Sequence, residues 1–419
     1  MKKLLVIGYV WPEPKSSAAG SRMLQLIACF QQDGYEVTYA SPAAPSDHAI
    51  DYQSYNINTC AIKLNNASFD EFVKDLQPDV VMFDRFMMEE QFGWRVEQHS
   101  PNAIRVLDSE DLHCLRFARQ ALAKQNTQAV IKDVSDADLF SDYAKREIAA
   151  IYRCDLTLTI SQYEMQALQQ RFGVPADILL YVPFMLKDIN VNTTLSFNER
   201  KHFVSIGNFR HEPNWDAVLQ LKQTIWPLIR KQLPQAQLHV FGAYPPKKAT
   251  QLHNEKHGFL VKGWCEDAFK ELSQARVLLA PLRFGAGLKG KLLDAAQCGL
   301  PAVTTSIGSE GLFDNNTAST AFVSDDFETF AQQAVDLYSN EDAWQQKQNA
   351  CFDFLQNGFA WDKHNKHLIA TVNQIAQHTE QHRLKNFTGS MLRHHTMKST
   401  QYMAQWIEAK NKLAPKGSD

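Results

Sequence analysis

Gly285-Ala286-Gly287-Leu288-Lys289-Gly290-Lys291-Leu292-Leu293-Asp294 follows the apolar run Val277–Pro281 and opens a helix expected over Lys289–Gln297. Strand, glycine-rich turn and helix in that order form the repeating unit of an open α/β sheet. Glycines at such a turn let backbone N–H groups approach an anion, and the helix N-terminus adds partial positive charge. Lys289 and Lys291 add full charges, so the segment suits a diphosphate. Asp294, one turn further on, can accept hydrogen bonds from ribose hydroxyls.

Working outward, the same unit recurs. Strands are predicted at His202–Gly207, Gln237–Gly242, Phe259–Lys262 and Ala302–Thr305, and helices at Ala217–Arg230, Ala268–Gln274, Phe327–Tyr338 and Glu341–Asn357. The first of these strands ends in Gly207-Asn208-Phe209-Arg210-His211-Glu212-Pro213-Asn214, where a doubly wound sheet places a phosphate loop. Arg210 can grip a phosphate there with a planar, permanently charged fork.

The first half repeats the pattern. Its strands are Leu4–Gly8, Tyr35–Ala40, Val80–Phe83, Ala103–Leu107, Leu156–Ile160 and Leu179–Val182. Its helices are Ser21–Gln32, Phe69–Leu76, a long region Asp136–Tyr152, and one from Ser161 to Arg171. The loop Pro14–Gly20, with Gly20 at a helix start, is placed to close over the diphosphate from the opposite side. The expected architecture is therefore two Rossmann-like, doubly wound parallel-sheet domains facing a cleft. Residues 1–187 form the first and 201–358 the second. A polar stretch, 188–200, links them, and 380–419 is a basic helical tail. The tail carries seven Lys/Arg against three Asp/Glu, a net +4.

Composition narrows the function. The chain has 419 residues, 44% hydrophobic, enough for two cores. A net charge of −3 gives no basic field for nucleic acid. The seven cysteines show neither Cys-x-x-Cys nor zinc-ligand spacing and read as reduced thiols of a cytoplasmic protein. The apolar run after Met1-Lys2-Lys3 is too short for a signal peptide, and no segment has the ~20 apolar residues needed to span a bilayer. The loop Pro14–Gly20 after the first strand is not a G-x-G-x-x-G fingerprint, which argues against a nicotinamide enzyme, and G-x-x-x-x-G-K-[ST] occurs nowhere in the chain, which argues against a P-loop NTPase.

The segment Phe203–Leu312 resembles the C-terminal domain of the retaining glycosyltransferases called group 1 or family 4, which have the GT-B fold. The resemblance rests on VSIGNFRHEPNWDAV, IWPLIR, LHVFGA, VKGW and VLLAPLRFGAGLKGKLLDAAQCGLPAVTTSIGSEGL. In the first half, RCDLTLTISQYEMQALQQRFGVP resembles that family's last N-terminal strand and helix. Phe359-Ala360-Trp361 is similar to the point where its final helix, here 359–379, crosses back.

The resemblance implies roles. Gly207, Asn208, Arg210, Gly287, Leu288, Lys289, Lys291 and Asp294 would hold a nucleotide-sugar donor, with Arg210 and a lysine on its diphosphate. The family's usual first acid falls near Ala286, which has no carboxylate, and Glu310 is the nearby acid to replace it. His113 is expected against the donor sugar, with Asp111 and Glu110 as alternatives, and Arg116 or Arg119 could meet an anionic acceptor. Catalysis is thus expected from His113, Arg210, Lys289 and Asp294, without metal or cofactor, since no Asp-x-Asp stands where a metal site would be. The acceptor would be a glycan, a lipid-linked species or a protein. Separately from the resemblance, the basic tail 380–419, with apolar residues at rough helical spacing, reads as a helix at an anionic membrane's inner face, or one that packs on the body, binds a partner or dimerises. The rival readings are a nucleotide-sugar epimerase or phosphorylase-like enzyme on the same architecture, and a non-catalytic binding protein.

Overall fold

The structure, a computed structural model, describes residues 1–45, 48–126, 129–187, 195–312 and 320–413. The first domain runs β1 (Lys2–Ile7), α1 (Ala18–Gln32), β2 (Tyr35–Ser41), β3 (Ile57–Ala61), α2 (Ser68–Leu76), β4 (Val80–Asp84), α3 (Phe86–His99) and β5 (Ile104–Asp108). It continues with α4 (His113–Gln125), α5 (Asp136–Leu139), α6 (Asp142–Arg153), β6 (Leu156–Thr159), α7 (Gln162–Phe172) and β7 (Leu179–Tyr181). The seven strands form one parallel sheet in the order β3-β2-β1-β4-β5-β6-β7. Leu4, Leu5, Val6 and Ile7 are all fully buried, as a central strand covered on both faces requires.

The second domain runs β8 (Lys201–Ile206), α8 (Glu212–Gln220), α9 (Trp226–Gln232), β9 (Leu238–Phe241), α10 (Lys247–Thr250), β10 (Phe259–Gly263), α11 (Ala268–Gln274) and β11 (Ala275–Ala280). Then come α12 (Gly290–Gln297), β12 (Ala302–Thr304), α13 (Ser306–Ser309), β13 (Ala321–Val323), α14 (Phe327–Ser339) and α15 (Glu341–Gly358). Its sheet is parallel, in the order β10-β9-β8-β11-β12-β13. Both sheets reverse direction beside their first strand, at β1/β4 and at β8/β11. Ligands of open α/β sheets bind at such switch points, beyond the carboxyl ends of the strands.

The chain then returns. Leu186 and Ala360 form a parallel bridge, and α16 (Trp361–Gln377) packs Trp361, Leu368, Val372 and Ile375 into the core of the first domain. Helices α17 (Thr379–Lys385) and α18 (Phe387–Leu413) follow, with α18 lying on α3 and α6. The arrangement is GT-B-like, two Rossmann-like domains with a helical C-terminal region.

Local physics moves several boundaries. The region Asp136–Tyr152 is not one helix, because the Ser141 hydroxyl accepts from the Ala144 N–H and starts α6 afresh. Helix α1 starts at Ala18 because the Ser17 side chain caps the Gly20 N–H. The helix expected at Ala217–Arg230 spans α8 and α9, joined by a π-helical turn at Leu221–Ile225. Strands β3 and β13 and helix α3 add to the expected set. Within the proposed linker, residues 188–194 lie outside the described residues, as do 414–419 of the tail.

Candidate functional site

A cleft of about 680 Å³ lies between the domains, lined by the loops after β1, β4, β5, β8 and β11 and by the start of α12. One wall is the glycine-rich turn. Gly287 has φ +64, a left-handed backbone that L side chains rarely adopt. A Cβ there would also stand 2.9 Å from that of Asp111, so a bare backbone lets the first domain come this close. Lys289 is the N-cap of α12; its Nζ donates to the Gly287 carbonyl at 2.7 Å. Lys291 Nζ donates to Asn214 Oδ1 at 2.8 Å. Burial pulls the Lys289 ammonium below its usual range and lowers Lys291 to about 8. Asp294 lines the same wall, and burial raises its carboxyl to about 7.

Arg210 completes this side. The Asn208 side chain accepts from its backbone N–H at 2.9 Å, and its guanidinium lies 3.6 Å over the Tyr244 ring. The Tyr244 hydroxyl donates to Glu13 of the first domain at 2.9 Å, while His48 stacks on Trp264 at 4.8 Å. Gly207, Asn208, Arg210, Gly287, Leu288, Lys289, Lys291 and Asp294 all line the cleft. Among the described residues, none of Arg210, Lys289 and Lys291 forms an ion pair with a carboxylate.

The facing side belongs to the first domain and is rich in carboxylates. Asp84 and Asp108 are register partners at the ends of β4 and β5. Arg22, fully buried, holds Asp108 at 2.9 Å, and Arg85 lies 3.6 Å from Asp84. Glu110, at φ +61, lines the cleft; burial and the neighbouring Asp108 raise its carboxyl to about 8. Burial works against ionisation of Asp111 too, but Arg116 at 2.7 Å and His113 outweigh it and hold that carboxyl well below the usual range. His113 opens α4 with its Nδ1 3.0 Å from the Asp111 carbonyl and 3.4 Å from Glu147. Burial disfavours the imidazolium, yet Asp111 and Glu147 outweigh that and raise the His113 pKa. His113, Glu110, Asp111 and Arg116 thus share one wall.

Three expected residues fall elsewhere. Glu310 does not line the cleft: it accepts from Arg119 at 2.7 and 2.8 Å, with Arg119 fully buried and Glu310 nearly so. It joins the two domains through this pair, outside the cleft lining. Arg119, which also donates to the Gly285 carbonyl at 2.8 Å, is likewise withdrawn from any acceptor. Gly20 sits behind the loop, where a Cβ would meet the Glu13 backbone at 2.6 Å, while its neighbours Lys15, Ser16 and Ser17 line the cleft.

Sequence reasoning missed Glu164. Its Oε1 accepts from the Leu112 N–H at 2.9 Å and the Gly287 N–H at 2.6 Å, tying the loop before His113 to the glycine-rich turn. Burial, with Asp111 nearby, raises its carboxyl to about 7. It stood only as one acid in an amphipathic helix, and no local pattern marks such a role. No group of described His, Cys, Asp or Glu residues could hold a metal ion.

Residues 200–340 match the family described as Glycosyl transferases group 1. An uncharacterized 44.6 kDa protein in the cps region of Klebsiella pneumoniae is 22% identical over 224 residues. That match covers 52% of this chain and 55% of the relative, about half of each. Among solved structures, a TarM variant of S. aureus in complex with fondaparinux, alpha-GlcNAc-glycerol and UDP has a TM-score of 0.68 at 9% identity, covering 89% of this chain and all of that one. Anabaena HepE with UDP and glucose has a TM-score of 0.64 at 12% identity, with coverage of 89% and 100%. A sucrose-phosphate synthase of Thermosynechococcus elongatus has a TM-score of 0.62 at 15% identity, with coverage of 91% and 99%. At these identities the likeness carries the fold.

Proposed function

With a group 1 glycosyltransferase domain over 200–340 as the premise, we propose that the chain moves a sugar from a nucleoside-diphosphate sugar to a glycan or lipid-linked acceptor. The observation that carries this is the convergence of Arg210, Lys289, Lys291 and the α12 N-terminus on one wall of the cleft, with no carboxylate paired to the three cations among the described residues. As the donor's glycosidic bond breaks, charge accumulates on the departing diphosphate. Cations and N–H dipoles fixed in advance stabilise that charge without reorganising. His113, whose imidazolium form is disfavoured by burial but favoured by Asp111 and Glu147, lines the facing wall and would hold a sugar hydroxyl.

Metal independence belongs to the proposal, because three protein cations occupy the role a divalent ion would fill; turnover should survive excess chelator. Retention of the anomeric configuration rests on the family resemblance and is read from the product by NMR. The relative from a cps region and the alpha-GlcNAc-glycerol bound to TarM support a role in cell-surface polymer assembly, at the inner face of a membrane. UDP-sugars are the first donors to try, since HepE and TarM were solved with UDP.

A melting-temperature screen against UDP-, GDP-, ADP- and CMP-sugars tests the donor. A ligand at 100 times its Kd should stabilise by about 2.7 kcal/mol. No shift with any nucleotide sugar would sink the reading. Rapid hydrolysis or epimerisation without acceptor would turn it into a different reaction on the same site.

A further inference from the structure

Helix α18 is 27 residues long, about 40 Å at 1.5 Å per residue, and its two faces differ. The inward face is tied to the first domain. Just before it, Arg383 pairs with Asp155 at 2.8 Å and donates to the Pro101 and Ala103 carbonyls. Asn386 donates to the Tyr152 carbonyl at 2.7 Å, Ala404 packs on Trp94, and Glu408 reaches Arg95. The helix is therefore held in place by specific polar contacts.

The outward face carries Phe387, Met391, Lys398, Tyr402, Trp406, Lys410 and Leu413. Steps of three, four and seven residues place these on one stripe. Phe387 is 76% exposed, Tyr402 63%, Trp406 59% and Leu413 84%, and Leu384 adjoins them at 74%. Lys410 lies over the Trp406 ring at 5.3 Å. An aqueous surface does not favour such a stripe, since exposed apolar patches mark contact with a partner or a lipid surface.

We propose that this face lies on an anionic lipid bilayer. Charge selects the occupant. Residues 380–419 carry +4 while the rest of the chain carries −7; Arg383 and Arg393 turn inward to the first domain, and Lys398 and Lys410 are the exposed cations on the stripe. Two copies meeting through α18 would set basic face against basic face. A negatively charged leaflet matches the lysines, Trp406 and Tyr402 suit the headgroup boundary, where rings with one polar edge reside, and Phe387 adds purely apolar surface. No described helix is long and apolar enough to cross a membrane, so contact would be in the interface plane. The proposal deepens the reading of a membrane-side acceptor, yet it is measured without turnover and stands or falls apart from it.

The experiment is co-sedimentation of the full chain with vesicles of phosphatidylcholine, with or without phosphatidylglycerol. Binding should require phosphatidylglycerol and weaken with salt. Lys398→Glu with Lys410→Glu should cut partitioning at least about fivefold per lysine, and Phe387→Ser with Trp406→Ser about tenfold. Both variants should keep the native melting temperature and the native stabilisation by UDP. Equal sedimentation with neutral and anionic vesicles, or none with either, overturns the proposal. So does a native dimer that the same substitutions convert to monomer without any loss of vesicle binding.

Discussion

The two walls of the cleft keep their charges in opposite ways. On the second domain, Arg210, Lys289 and Lys291 face the cleft with hydrogen bonds to neutral groups and stacking on Tyr244. On the first, Asp84, Asp108 and Asp111 each lie beside a guanidinium, from Arg85, Arg22 and Arg116. An unpaired cation at a cleft stores attraction for an incoming anion, whereas a buried pair is already satisfied and acts structurally. Paired charges should thus govern stability here, and unpaired ones turnover.

The largest expected effect tests the paired side. Glu310→Ala leaves fully buried Arg119 without its carboxylate and should cost about 3–5 kcal/mol of stability. Urea unfolding reads this directly, and a loss below about 1 kcal/mol would mean that the clamp is not satisfied as described. Next, Arg210→Ala and Lys289→Ala should each lower kcat/KM by about 10²–10³. The same substitutions should change unfolding free energy by under ~0.5 kcal/mol for Arg210, which has no carboxylate to strand. Large destabilisation with intact turnover would invert the comparison.

Gly287→Ala acts where the walls meet. The left-handed backbone and the approach of Asp111 should together cost about 1–2 kcal/mol, measured as a lower melting temperature. The smallest effect is a slope. Lys291 titrates at about 8 in the folded protein. Below that pH it is charged; above it, a diphosphate must bring a proton along. UDP affinity should hold steady up to about pH 8 and then fall by at most about tenfold per unit. Lys291→Arg should flatten the profile, because a guanidinium keeps its charge. A wild-type profile that stays flat to pH 9 would remove Lys291 from the diphosphate site.

The same contrast explains what could be read from the chain. The second-domain wall was legible because its parts lie close together in sequence: a strand, a glycine turn and two lysines within a few residues, with Arg210 just past β8. The first-domain wall was legible only in part. His113, Asp111 and Glu110 could be picked out at a strand end, but their partners come from afar. Arg119 and Glu310 are 191 residues apart, Glu164 and Gly287 123. No periodicity encodes such pairs, so the sequence does not show that Arg119 and Glu310 meet. Edge strands failed for a related reason. Only Ile57 of β3 is fully buried, which leaves too little apolar pattern to mark a strand. The central strands, buried on both faces, announced themselves.

The chain passes between the domains twice, and the two passages are fastened to each other. The Leu186 N–H donates to the Phe359 carbonyl at 2.8 Å, and the Trp361 N–H to the Leu186 carbonyl at 3.0 Å. Two tethers joined at one edge form a spine. They hold the two halves together along that edge. The opposite edge is closed by Arg119 on Glu310, by the Gly287 N–H on Glu164, by the Tyr244 hydroxyl on Glu13 and by the Ile131 N–H on the Arg283 carbonyl, so the domains are fastened on both sides of the cleft.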